Sequence, residues 1–218
     1  MRIRRLHLVT AVLAVLSSAV VVGCAADRSA DAARIRAELG TMPGVSVVDV
    51  GYVNDFENGP NINISLEMPE ATEVDIGAAA HRIGELTGSF DDHRRRTEIT
   101  VAPMTVLKYS ADIGEEVAYT DVATEARVLR AIRPRLSASW VRWEHYDGRS
   151  RVELWSAATP DQDLRAALDT SLAGATEVYV RSAVPAERGS WEVELPLTDA
   201  ELSGLLQQLS PVAPINAP

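Results

Sequence analysis

Cysteine is almost absent from this chain of 218 residues: Cys24 is the only one. No disulfide can therefore form within the chain, and the fold must rest on a hydrophobic core. Lysine is as scarce, with Lys108 alone among 21 basic side chains. Basic charge as a whole is in deficit. Arg2, Arg4 and Arg5 fall in the first seven residues, which leaves 18 basic against 31 acidic residues beyond them. That balance excludes nucleic acid as a partner, because such binding depends on neutralising phosphates. It equally excludes lying flat on anionic lipid by charge attraction. Catalytic signatures are missing too: there is no Gly-x-Ser-x-Gly elbow, no His-Glu-x-x-His, no phosphate-binding glycine loop and no dinucleotide fingerprint. Of long apolar runs there is one, residues 8–22, short of the ~20 residues that a membrane span requires.

What is present begins with that run. A basic start, an apolar stretch broken by Thr10, Ser17 and Ser18, and then Gly23-Cys24 with small residues after it describe a secretory signal. Val21-Val22-Gly23-Cys24 resembles the lipobox of bacterial lipoproteins, a likeness confined to the first 24 residues. It implies removal of residues 1–23 and acylation of the Cys24 thiol, palmitate included. The chain would then be held by lipid on the extracytoplasmic face of the cell membrane. The resemblance implies more than one acyl chain, and two hold firmly where one holds marginally. The preference for arginine, alanine and valine fits a GC-rich genome, such as an actinobacterial one. With 46% apolar and 24% charged residues, the rest of the chain reads as globular.

A helix over 27–39, with Ile35 and Leu39 four apart, leaves almost no stalk above the lipid. The chain then repeats a strand–strand–helix unit four times. The strands are expected at 45–53 and 61–67, 97–101 and 105–109, 139–146 and 149–156, and 177–182 and 191–195. The helices that close the units fall at 72–86, 121–133, 160–172 and 199–209. Thr72, Thr159 and Thr198 stand where helix-capping residues belong, and Pro160 suits a first helical turn. Gly77, Gly84 and Gly88 thin one side of the first of these helices, for internal packing or for a partner helix. The class is α+β. The favoured arrangement is two small antiparallel-sheet and helix sandwiches, a permuted ferredoxin-like order, over 24–118 and 119–209. One continuous antiparallel sheet with all helices on one face is the alternative. Residues 210–218, with three prolines, read as an extended tail.

Asp147-Gly148 predicts a two-residue type I′ turn, and such a turn sets the register on both sides. Trp140 falls opposite Trp155, Arg142 opposite Glu153, Glu144 opposite Arg151 and Tyr146 opposite Arg149, all on the polar face. Val141, Trp143, Val152 and Leu154 mark the core face, which His145 shares. Trp140, Trp155, Arg142 and Glu153 are thus candidate partner-binding residues, unless another lobe or the tail covers them.

Elsewhere the signals are weaker. His81, His93 and His145 are too scattered for a metal set. His81 reads as solvated. Residues 54–61 carry oxygen ligands but read as a turn, and 91–96 read as a solvated charged loop entering a strand. No cofactor or metal is expected. The reading is a membrane-anchored, non-catalytic envelope lipoprotein that binds a protein or cell-wall partner. The alternatives are a carrier or sensor of a small apolar or lipidic ligand, or an enzyme of unfamiliar design using acids such as Glu57, Asp91 or Asp92.

Overall fold

The computed structural model describes residues 27–55, 57, 59–170, 172, 174–184 and 190–209. The expected signal, Cys24 and the tail 210–218 lie outside the described residues. The element order is α1 (Ser29–Leu39), β1 (Val47–Asp55), β2 (Gly59–Glu67), α2 (Glu73–Thr87), β3 (Arg94–Ala102), β4 (Thr105–Ala111) and α3 (Val122–Ile132). It continues with β5 (Trp140–Tyr146), β6 (Arg149–Ala157), α4 (Pro160–Leu168), β7 (Glu177–Ser182), β8 (Trp191–Glu194) and α5 (Asp199–Gln208). The four strand–strand–helix units are present, preceded by α1.

They do not form two sheets. All eight strands join one sheet in chain order. Each hairpin pairs antiparallel, whereas β2–β3, β4–β5 and β6–β7 pair parallel across a helical crossover. A permuted ferredoxin-like unit would insert its fourth strand between the second and third and make every neighbour antiparallel. Neither feature is present. Pairing β4 with β5 also removes two open edges that separate sandwiches would expose.

Helices α1 to α4 and the inward faces of all the strands contribute to one apolar cluster. Strand alternation builds the sheet's share of it from Ile62, Ile64 and Leu66 in β2 through Leu107 and Tyr109 in β4 to Val178 and Val180 in β7. Each such side chain contributes about 1.5–3 kcal/mol by leaving water. Gly77 lies against Ala123 and Gly84 against the Tyr119 ring, so the thin side of α2 serves internal packing with α3 and the segment before it. Strand direction reverses from one hairpin to the next while the helices keep to one side. The crossovers through α2 and α4 therefore share one hand and the α3 crossover has the other, so the right-handed rule cannot hold for all three.

Capping boxes form at Thr72 and Thr198 as the sequence leads one to expect. At Thr159 no side-chain cap forms. Its backbone N–H and hydroxyl are instead engaged with Ser137 Oγ, at 2.9 and 3.1 Å.

The other face of the sheet carries polar side chains in rows. One row runs Glu98, Lys108, Glu144, Arg151, Glu177 across β3 to β7, alternating in sign at every step. Lys108 reaches Glu144 at 2.7 Å, and Arg151 reaches both oxygens of Glu177 at 2.7 and 2.9 Å.

Candidate functional site

The β5–β6 hairpin has the register that the two-residue turn dictates at all seven pairs. Asp147 and Gly148 both adopt positive φ, 48° and 68°, as a type I′ turn requires. The open sheet face accordingly presents Trp140 beside Trp155, with ring centroids 6.2 Å apart. Both rings are half-exposed, and no described element lies over them.

Two features of this patch escape sequence reasoning. Tyr179 of β7 continues the aromatic run, 5.9 Å from Trp155, because β6 and β7 pair parallel. The guanidinium of Arg181 lies over the Trp155 ring at 5.1 Å, and that of Arg142 over Trp140 at 4.6 Å. Arg142 also donates to Glu153 at 2.7 and 2.9 Å, and Trp155 Nε1 donates to the same carboxylate oxygen at 2.9 Å. Arg142 and Glu153 are thus bound to each other, while exposed Arg181 has no acidic partner among the described residues.

A second cluster lies on the covered side, at the carboxyl ends of β4 and β5. Tyr109 and His145 stand directly opposite each other in those parallel strands, and their rings stack 4.8 Å apart with planes 5° from parallel. From α3, Glu125 reaches in between. The Tyr109 hydroxyl donates to Glu125 Oε2 at 2.5 Å. His145 Nε2 lies 3.1 Å from Glu125 Oε1, yet its in-plane direction misses that oxygen, and the buried nitrogen makes no hydrogen bond. Burial and the Glu125 carboxylate both drive the Tyr109 hydroxyl far above its ordinary range, so it stays protonated as a donor. Neighbouring Tyr119, whose hydroxyl shares a hydrogen bond with Thr97, is pushed up to about 12 by burial.

This cluster borders a cavity of about 440 Å³. Its members were not among the expected site residues. The available signal was Glu125 itself, a charge within the stripe Val122, Ala126, Leu129 and Ile132 that α3 buries.

The remaining expectations divide. His81 is solvated, its side chain 77% exposed. The 91–96 segment is not a solvated loop. Strand β3 begins at Arg94, so alternation turns Arg95 inward, and His93 is fully buried with Nδ1 2.5 Å from Asp92. Around 54–61, Asp55 Oδ1 accepts from the backbone N–H of Glu57 at 3.1 Å, which is turn chemistry. Among the described residues no three His, Cys, Asp or Glu side chains are grouped to hold a metal, and no helix is long and apolar enough to cross a membrane. An apolar cleft of about 420 Å³ lies between α4 and residues 195–202, walled by Leu168, Leu195 and Leu197. No protein family, curated protein or solved structure matches the chain.

Proposed function

We propose that this protein is a non-catalytic binding module, exported and held at the cell membrane through lipid on Cys24, whose open sheet face docks a protein partner in the envelope. The observation that carries the reading is the run Trp140–Trp155–Tyr179 on the uncovered face, ending at Arg181, which has no acidic partner among the described residues. Tryptophan, tyrosine and arginine are the side chains that dominate binding energy at protein interfaces. A sugar would stack on a free ring face, but guanidinium groups already lie over both indoles. That arrangement favours a protein over a glycan, and exposed Arg181 favours an acidic group on it. The short link from Cys24 to α1 keeps the domain near the membrane, since a residue spans at most ~3.5 Å.

The test is site-directed photocrosslinking in cells that produce the full chain. A benzophenone side chain replaces Tyr179 in one version and Val74, which is 77% exposed on α2, in another. The reading requires one discrete adduct from position 179 and none from 74. It also requires loss of that adduct in Trp140→Ala/Trp155→Ala protein that retains its fold. Equal adducts from both positions, or an adduct indifferent to the tryptophans, would refute it.

A further inference from the structure

Three helices bury the side chain at their fourth position, Ile76 in α2, Glu125 in α3 and Asp163 in α4, and α5 has half-buried Leu202 there. Two are apolar and two are acids. The Asp163 carboxylate is closed, for it accepts from the backbone N–H groups of Ser137 and Ala138, both at 2.8 Å, and from the Ser137 hydroxyl at 3.0 Å. Glu125 is not closed. Its side chain is 5% exposed, and Tyr109 supplies its one aligned donor. A carboxylate accepts at about four lone-pair positions, and leaving them unmet in a buried place is costly. Its nearest further neighbour, His145 Nε2, is buried 3.1 Å from Oε1 and makes no aligned hydrogen bond to it. The carboxylate therefore keeps acceptor capacity that its own chain does not fill.

The cavity of about 440 Å³ adjoins both, a volume in the range of small-molecule sites. It lies beyond the carboxyl ends of parallel β4 and β5, the place where open sheets with crossover helices hold ligands. Its wall holds the carboxylates of Glu115, Glu116, Asp121, Glu125 and Asp147 against the single guanidinium of Arg149. An anion would be repelled there. A purely apolar ligand would seal off Glu125 Oε1 without an aligned donor.

We propose that this cavity binds a small organic cation bearing N–H groups, a primary or secondary amine. Its ammonium donates to the Glu125 carboxylate, beside which the His145 ring stands. A quaternary ammonium has the charge and lacks the donor, so it binds poorly.

The chain contains four tryptophans, and they report on separate places. Trp143 Nε1 donates to Ser150 Oγ at 2.7 Å, Ser150 lines the cavity, and the Trp143 ring stacks 6.2 Å from His145. Trp140 and Trp155 sit on the open face, and Trp191 hydrogen-bonds Asp161 of α4. The experiment follows the four indole N–H signals by NMR of the full chain in detergent. Spermidine is the probe and choline the control, each at low and at physiological salt. Spermidine should move Trp143 saturably at both salt levels and leave the other three in place, while choline at equal concentration moves none. Glu125→Gln should weaken spermidine binding about tenfold or more, the loss expected for a charge-assisted hydrogen bond. Equal action by choline, an unmoved Trp143, a common drift of all four signals, or an effect abolished by salt would overturn the proposal. Ethanolamine, the N–H-bearing counterpart of choline at equal charge, keeps the test decisive even if Glu125→Gln does not fold: it should move Trp143 in the unaltered protein where choline does not.

Discussion

Asp163 and Glu125 occupy the same position in successive crossover helices and have opposite surroundings. Asp163 takes two backbone donors and a hydroxyl, and through Ser137 it ties the start of α4 to the segment before β5. Glu125 meets one hydroxyl and an unaligned imidazole beside an acidic cavity. One repeated position thus serves the fold in one unit and stays unsaturated in another. Buried carboxylates are readily mistaken for a uniform class. Counting donors separates them, because an acid kept for structure is saturated by its own chain.

The sharpest way to break this comparison is at its closed end. Asp163→Asn sets an amide N–H₂ against backbone donors and should lower stability by about 3 kcal/mol. The check is a shifted urea midpoint at unchanged slope. A loss below about 1 kcal/mol would mean that Asp163 does not close α4. The tyrosines beside Glu125 supply the next effect. Tyr109 and Tyr119 are held neutral well above the ordinary phenol range, near pH 10 when unfolded. Stability is therefore complete below about pH 10 and falls as pH rises through about 12, where Tyr119 ionises in the fold. The Tyr119 share should approach about 3 kcal/mol. Urea midpoints at neutral and strongly alkaline pH should converge in Tyr119→Phe relative to the parent protein, and an unchanged gap would contradict the burial argument.

The wet face sharpens the comparison from the other side. Trp140→Ala/Trp155→Ala should cost only about 1 kcal/mol, the worth of a half-exposed aromatic pair, and thermal melts read it. Arg151→Met breaks ion pairs with Glu153, Glu177 and Glu192, yet its effect should stay below about 1 kcal/mol and shrink with added salt. A larger loss would place structural weight on the open face that burial assigns to the covered one.

Much of this fold is legible from local chemistry. The hairpin register at Trp140–Trp155 follows from Asp147-Gly148 alone, and the four units follow from hydrophobic period and helix starts. What is not legible is how the units join. The β4–β5 and β6–β7 pairs are parallel and separated by whole helices, so no turn residue sets their register. Two sandwiches were expected for that reason where one sheet stands. The same gap hid the sites. Tyr179 enters the aromatic run only through β6–β7, and Tyr109 faces His145 only through β4–β5. Arg95 and His93 were read as solvated loop because strand β3 starts three residues before its first apolar-flanked position, and a charged run masks the alternation that buries every second residue.

The most direct test is Glu125→Leu, which gives α3 the kind of residue that α2 and α5 already carry at that position. A carboxylate held for a ligand adds little to folding, and its apolar replacement is commonly neutral or stabilising. The account predicts stability within about 1 kcal/mol of the parent protein together with complete loss of the spermidine response at Trp143. A destabilisation as large as that of Asp163→Asn, or a spermidine response that survives, would contradict it.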